Sequence, residues 1–364
     1  MTPQPDLFRK DLIIELRTTP HGGRSVFARR SIPANTVIHT TDGPFAYVIY
    51  NDFRKEICTS CYAYAFTSKL RTWSIKSSQG GTTAVFFCSE HCRETWEKDA
   101  MGRMIVEVHD SLAKAFRSVK KGKSNIPSPC DLDTALGEPE ITKESIDKTW
   151  AAADKFIGSK SILAAYCTTT PLEDMELEIA RFIASAIVQR YIIDSASGPK
   201  SKMDHIPTPT YDLWESFLQL QDNELANIGS RPHLLPIHIR IYAFLSFVLP
   251  AHLKSYVQST VRAVLARDPG NSFGIWEGEG GEEMFGWGMW TSASYFNHNC
   301  TPNVQKTRQG RSLHFTTVHA VEEGAELYIN YVDVILPHRE REQNLRESWF
   351  FSCTCQRCCT DSQL

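Results

Sequence analysis

Two hydrophobic periods alternate along the chain. From Leu12 to Tyr50 the pattern is that of strands and turns: "LIIEL" and "SVFARR" flank the turn Pro20-His21-Gly22-Gly23, and "TVIHTTDGPFAYVIY" continues in β-branched and aromatic residues. From about residue 93 the period lengthens. "CRETWEKDAMGRMIVEVHDSLAKAF" has helical spacing and no proline, and three further helical stretches follow at 176–194, 211–226 and 236–266. Pro250 is expected to break or kink the last of these, because a proline ring inside a helix removes one hydrogen bond and clashes with the preceding turn. After Asp268-Pro269-Gly270 short strands return: "SFGIW", "MFGWGMW", "SLHFTTVHAV" and "ELYIN". The Ser/Gly-rich stretch at 74–83 and the polar 117–140 segment are expected as loops, the second of them mobile. No internal repeat is evident. β elements at both ends therefore enclose a cysteine-bearing segment and a helical insert, and the predicted class is α+β: one β domain split by insertions.

Composition narrows the function. The 364 residues are 42% hydrophobic, enough for a sizeable core, and the net charge of −3 gives no global basic field for nucleic acid. Lys120-Lys121-Gly122-Lys123 is the only dense basic patch and reads as a solvated loop. The N-terminus is charged where a signal peptide needs an apolar run, and the longest apolar run, Ile241 to Ala251, is too short to span a bilayer. An intracellular protein without membrane or direct nucleic-acid contact is expected, in the nucleus, the cytoplasm or both, working as a monomer.

Eleven cysteines in such a chain point to metal before disulfides. Cys58-x2-Cys61 and Cys88-x3-Cys92 supply four thiolates at spacings that close a tetrahedral zinc site. A redox C-x-x-C is the rival, but no βαβ pattern surrounds it. At the other end, Cys353, Cys355 and Cys358 form C-x-C-x2-C, one ligand short of a structural site. Cys359 is adjacent to Cys358 and would strain to share its ion. The unassigned candidate is Cys300, in "NHNCTPN" at 297–303, which would tie the C-terminal tail to that loop; otherwise Cys300 is a free buried thiol. Cys130 and Cys167 read as ordinary buried thiols.

These segments together resemble SET-domain protein lysine methyltransferases of the SMYD (SET and MYND) type. "GGRSVFARRSI" (22–32) resembles the first SET strand and turn, "CTSC…FCSEHC" part of an inserted MYND finger, and "GNSFGIW" (270–276) the N-S-F strand. "FNHNCTPNV" (296–304) resembles the N-H-S-C-x-P-N signature; "EEGAELYINYVD" (322–333) and "RESWFFSCTCQRC" (346–358) resemble the G-E-E-L-x-x-x-Y segment and the post-SET cysteines. The resemblance implies a SET β-fold arranged as N-terminal strands (9–56), a MYND-like zinc insert (57–99), a helical insert (100–262), the C-terminal SET core (263–335) and a post-SET zinc tail (336–364).

The resemblance also implies methyl transfer from S-adenosylmethionine to a lysine side chain of a protein, histone or not. Tyr331 would be the catalytic tyrosine. Gly22, Gly23, Arg24, Asn271, Asn297, His298 and Phe351 would contact the cofactor, and Tyr295, Trp349 and Phe351 would wall the lysine channel. Two structural zinc ions would sit on Cys58, Cys61, Cys88 and Cys92 and on Cys300, Cys353, Cys355 and Cys358. Three departures stand out. Half of the eight-ligand MYND finger is missing, the chain stops where many relatives continue into a helical C-terminal domain, and Ser25 replaces a glycine usual in the first motif. A SET fold that has lost catalysis and serves as a zinc-stabilised adaptor is the alternative reading. Glu277, Glu279, Glu282 and Glu283 are either a solvated hairpin or an acidic rim for a lysine-rich tail such as a histone tail.

Overall fold

A computed structural model describes residue 8 and residues 13–19, 23–64, 73–77, 84–121, 141–196, 213–277, 281 and 283–362. Gly22, Glu279, Glu282 and Cys130 lie outside the described residues, as does most of the loop expected at 117–140.

The first strands form a hairpin, β1 (Ile14–Thr19) with β2 (Gly23–Ala28), paired from Ile14 opposite Ala28 to Thr19 opposite Gly23. Strands β3 (Val37–Thr40) and β4 (Ala46–Ile49) then diverge into two different sheets. The C-terminal half completes both. Strands β7 (Phe273–Trp276) and β8 (Met284–Met289) extend β4, while β10 (Val304–Gln309) and β11 (Ser312–Thr317) extend β3. In β11 the side chains alternate, with Leu313, Phe315 and Thr317 buried, the period-two pattern of a half-buried strand. A further pair is parallel: β9 (Asn297–His298) lies beside β12 (Tyr328–Ile329). Bridges from Phe27 to Glu326 and from Ile32 to Val321 lock the N-terminal strands to the segment that leads into β12.

Two insertions interrupt this β body. The first carries the hairpin β5 (Ser74–Lys76) with β6 (Ala84–Phe86) and helix α1 (Glu90–Lys98), whose first turn is capped by the Ser89 hydroxyl accepting from the Cys92 amide. It has its own small core of Cys58, Val85, Phe87, Trp96 and Val106. The second insertion is helical: α2 (Ala100–Lys121), α3 (Lys143–Ile157), α4 (Lys160–Thr169), α5 (Asp174–Ala196), α6 (Leu213–Leu218), α7 (Glu224–Ser230), α8 (Leu234–Val248) and α9 (Ala251–Asn271). Helix α5 is apolar nearly all round because it is buried nearly all round, between α9, α2 and strand β4. Its Ser185 hydroxyl accepts the Tyr47 amide of β4 at 2.8 Å, joining insert and β body in one core.

Several elements differ from the sequence expectation. The single helix expected over 92–116 is two, broken at Asp99, because Gly102 lies against the indole of Trp96; a Cβ on Gly102 would meet that ring at 2.5 Å. Helix α2 also runs to Lys121, into the segment expected to be a loop. Helices α3 and α4 were not foreseen, although Thr142 and Ser145 form a reciprocal capping box at the start of α3. Pro250 does break the long apolar stretch: α8 ends at Val248 and α9 begins at Ala251. The tail is α10 (His338–Trp349) followed by the short α11 (Gln356–Asp361). Among the described residues no helix is long and apolar enough to cross a membrane.

Candidate active site and metal centres

The strands exist to hold one loop. A 3-10 turn over Ala293–Tyr295 delivers Phe296, which is fully buried and stacked on Phe315 with ring centroids 4.2 Å apart. That anchor sets Asn297 and His298 on β9, beside β12 and the residue two beyond its end, Tyr331. The Tyr331 hydroxyl donates to the Phe296 carbonyl at 2.8 Å, and its backbone amide donates to Nδ1 of His298 at 3.0 Å. Burial, with the Glu326 carboxylate adding to it, pushes the Tyr331 phenol up, so the hydroxyl stays protonated near neutral pH.

Two of the three predicted channel residues, Trp349 and Phe351, converge on this tyrosine. The Trp349 ring stacks on Tyr331 at 5.4 Å and the Phe351 ring meets it edge-on at 6.4 Å. Both reach it because Phe350 between them adopts a left-handed backbone (φ 63°), reversing the chain at the end of α10. A bulky residue rarely takes that conformation, so surrounding contacts must hold it there. Gly270 lies beneath Trp349 at φ +83°, and a Cβ there would meet Asn223 Nδ2 at 2.8 Å and Trp349 Cδ1 at 3.6 Å.

The remaining predicted residues lie around this centre with definite partners. Asn297 donates through Nδ2 to the Glu326 carboxylate at 3.2 Å, and the same carboxylate accepts the Tyr328 hydroxyl at 2.6 Å. Tyr295 is buried and donates to the Ser216 carbonyl at 3.1 Å; the Arg24 guanidinium lies 5.2 Å from its ring and also bonds Gln219. Asn271 directs its amide nitrogen at two carbonyls, Gln221 at 3.0 Å and Arg267 at 2.7 Å. Gly23 has φ +65° and open space beside it, room for a ligand to approach the backbone. Ser25 is fully buried and its hydroxyl has no partner, consistent with a position where a smaller residue is usual.

One part of the site had no sequence signal. From the last turn of α6 to the start of α7, residues 216–223 form a wall that receives Tyr295, Arg267, Arg24 and Asn271 in turn, and Asn223 returns a hydrogen bond to the Pro269 carbonyl at 2.8 Å. Most of these contacts use backbone carbonyls, which every residue type carries. The acidic stretch is described only in part: Glu277 and Glu283 close the β7–β8 turn through a backbone hydrogen bond of 3.0 Å.

Both cysteine groups assemble. The Sγ atoms of Cys58, Cys61, Cys88 and Cys92 all lie within 4.8 Å of one another, and so do those of Cys300, Cys353, Cys355 and Cys358. Four converging thiols without an open position fit a structural zinc ion, and each set could hold one. Cys300 is thus the residue that completes the C-terminal set, with its sulfur 3.4 Å from that of Cys358. Cys359 is exposed and its sulfur faces the Thr354 carbonyl instead. Cys167 is a buried thiol in the main core, as expected.

Charge around the second set is arranged to suit thiolates. The Arg341 side chain is 1% exposed, bonds the Leu336 carbonyl and Asp361 at 2.6 Å each, and lies against the sulfurs of Cys300 and Cys358. Arg357 holds the Cys300 carbonyl at 3.1 Å. His298 places Nε2 at 3.3 Å from Cys300 Sγ, and burial together with the Arg341 charge pushes this imidazole down to about 4, leaving it neutral.

A split β-fold with a parallel strand pair setting an Asn-His step beside a tyrosine, closed by a cysteine-bearing tail, defines the SET class of methyltransferase folds. Residues 23–332 match the SET domain family, and the chain belongs to it. It is homologous to protein-lysine N-methyltransferases. It is 28% identical over 385 aligned residues, spanning 100% of this chain and 99% of the relative, to "Potential protein lysine methyltransferase SET6" of Saccharomyces cerevisiae. A shorter match, 30% identical over 168 residues, covers 44% of this chain and 36% of "N-lysine methyltransferase SMYD2" of Rattus norvegicus. A third, 33% identical over 101 residues, covers 28% of this chain and 26% of the "SET and MYND domain-containing protein DDB_G0273589" of Dictyostelium discoideum.

Proposed function

We propose that the chain transfers a methyl group from S-adenosylmethionine to a lysine side chain of a protein substrate. The observation that carries this reading is the convergence of Trp349, Phe351 and His298 on Tyr331, whose protonated hydroxyl is fixed against the Phe296 carbonyl. When bound, the cofactor supplies an electrophilic methyl on a sulfonium. The protein's task is then alignment, which can contribute roughly 7–11 kcal/mol of barrier lowering. Trp349 and Phe351 offer flat apolar walls to the methylene stem of a lysine. The same walls favour the neutral amine, whose free pKa is near ~10.4. The Tyr331 oxygen, its proton engaged by Phe296, presents lone pairs that orient the amine.

Backbone around Gly23, the Asn297–His298 step and Asn271 would hold the cofactor, with Arg24 and Phe351 at its border. Tyr295 would line the lysine channel. The partner class is a protein with an exposed lysine, and Glu277 and Glu283 at the β7–β8 turn favour a basic tail such as that of a histone. The two zinc ions are structural in this reading, one for the insert and one for the tail. The test is incubation with isotope-labelled S-adenosylmethionine and either a histone mixture or a cell lysate, followed by mass spectrometry. Labelled lysines are expected. Cofactor binding by calorimetry without any labelled lysine would favour a non-catalytic adaptor instead.

A further inference from the structure

The proposed reaction gives the two ring nitrogens of His298 no part, yet the ring joins the tyrosine to the tail cluster. Nδ1 accepts the Tyr331 backbone N–H at 3.0 Å, and Nε2 faces Cys300 Sγ at 3.3 Å. The ring is 8% exposed, with Tyr331 and Phe351 rings 5.4 and 6.2 Å away. A nitrogen that accepts an N–H carries no proton. The neutral imidazole must therefore hold its hydrogen on Nε2, where it points at the sulfur. The Tyr331 amide lies beyond the end of β12, at Ile329, so no strand partner fixes it; His298 does.

We propose that His298 is a positioning residue: its imidazole bonds the Cys300 thiolate on one side and the Tyr331 amide on the other, making the C-terminal metal cluster the anchor for the tyrosine. The part that concerns catalysis rests on the reading of Tyr331 given above. A metal-bound thiolate keeps its acceptor strength but loses its freedom to turn, so it fixes the ring orientation, as hydrogen-bonded outer groups do around metal ligands generally. Arg341 and Arg357 hold the same cysteine from other directions, Arg341 at the sulfur and Arg357 at the carbonyl, so Cys300 is a rigid post. The tail zinc then has two functions. It holds Trp349 and Phe351 through the chain, and it holds Tyr331 through His298.

Two substitutions separate the two bonds. His298→Asn places a carboxamide oxygen near the position of Nδ1 and leaves nothing at Nε2. His298→Gln places an amide nitrogen near Nε2 and leaves nothing at Nδ1. The Asn variant is expected to keep the tyrosine fixed and lose the hold on zinc. It should release one zinc equivalent to a chelator roughly 10-fold faster, at the lower end of what lost outer-shell partners cost. Its Tyr331 amide should remain protected from hydrogen exchange. The Gln variant is expected to behave in the opposite way: native zinc release, a fast-exchanging Tyr331 amide, and kcat lowered about 10-fold or more with little change in KM for the cofactor. Identical profiles for the two variants, or native zinc release and exchange in both, would overturn the proposal. Nitrogen-15 spectra of the native zinc-loaded protein decide independently of whether either variant folds. The Nε2–H tautomer is expected, and the Nδ1–H tautomer would refute the arrangement. Zinc release, exchange and tautomer need no substrate, so they stand even if no methyl transfer is found.

Discussion

The hydroxyl of Tyr331 donates to the carbonyl of Phe296, 2.8 Å away, and Phe296 is itself pinned by stacking on Phe315. The tyrosine oxygen is therefore held from both ends of the site, through its own backbone amide and through a neighbour that cannot move without unstacking the core. Tyr331→Phe keeps the ring and its packing on Trp349 and removes only the oxygen. Methyl transfer should fall by about 10²–10³-fold, the usual cost of losing one fixed polar group at a reacting centre. Cofactor affinity by calorimetry should remain near native. An unaltered rate with an identified substrate would remove Tyr331 from the reacting centre.

The two metal sites should be separable. Cys92→Ser should lose one zinc equivalent and loosen the insert's small core around Phe87 and Trp96, with cofactor affinity largely kept. Cys300→Ser should lose the other equivalent and weaken the cofactor, because the same cluster holds the loop bearing Asn297 and His298 against the tail bearing Trp349 and Phe351. Metal content by mass spectrometry and titration of both variants test this. Two zinc ions retained in Cys300→Ser would mean that another group closes the tail site.

What could be read from the sequence was chemistry with rigid spacing. Zinc needs four donors, and the tail offers three in C-x-C-x2-C, so the unassigned Cys300 followed as the fourth candidate; its sulfur does join that set. The return from helices to strands after Asp268-Pro269-Gly270 was equally legible, since Pro269 and Gly270 do leave helical geometry at the end of α9. Helices α3 and α4 did carry a signal, with Ile146, Trp150, Ala153 and Phe156 at helical spacing behind the Thr142 cap, but it follows directly on a polar stretch that reads as loop. The break at Asp99 depends on a close approach between Gly102 and Trp96, and the wall at 216–223 on backbone carbonyls. Neither leaves a pattern in residue types, because both are decided by what packs across the chain.

Acid should weaken the fold through the helical insert. His238 on α8 is buried, its Nδ1 has no partner, and burial pushes it down to about 4. The unfolded chain binds a proton near ~6.5 while the folded chain refuses it until much lower pH, so stability is present at neutral pH and lost as pH falls from about 6.5 toward 4. This one group should cost roughly 2 kcal/mol by pH 5. His109 on α2, also buried and pushed down by burial, adds in the same direction. Urea unfolding of the native protein and His238→Met at pH 7 and pH 5 measures the effect. The variant should lose less stability between the two; equal losses would mean that His238 does not stay neutral in the fold.

Tyr62 is the peg by which the zinc insert docks on the β body. It follows Cys61 directly, at φ 59°, with its amide donating to the Cys58 carbonyl at 2.8 Å. Its ring is fully buried, 5.5 Å from Tyr47 of β4 and 5.0 Å from the Arg311 guanidinium. Arg311 in turn accepts, at its carbonyl, the indole N–H of Trp290, at the head of the 3-10 turn that leads to Tyr295 and Phe296. The Tyr62 hydroxyl, however, has no hydrogen-bond partner. A buried hydroxyl left unpaired costs about 1–3 kcal/mol, so the ring stabilises the docking and the oxygen opposes it. Tyr62→Phe should therefore leave the denaturation midpoint unchanged or raise it. Tyr62→Ala should cost about 3–5 kcal/mol, the range for emptying a large aromatic site in a core. It should also weaken cofactor binding through Arg311 and Trp290. Both zinc equivalents should remain in the Phe variant. A clear loss of stability in Tyr62→Phe would show that the hydroxyl has a partner in solution, such as a buried water, and that the insert docks by a hydrogen bond as well as by packing.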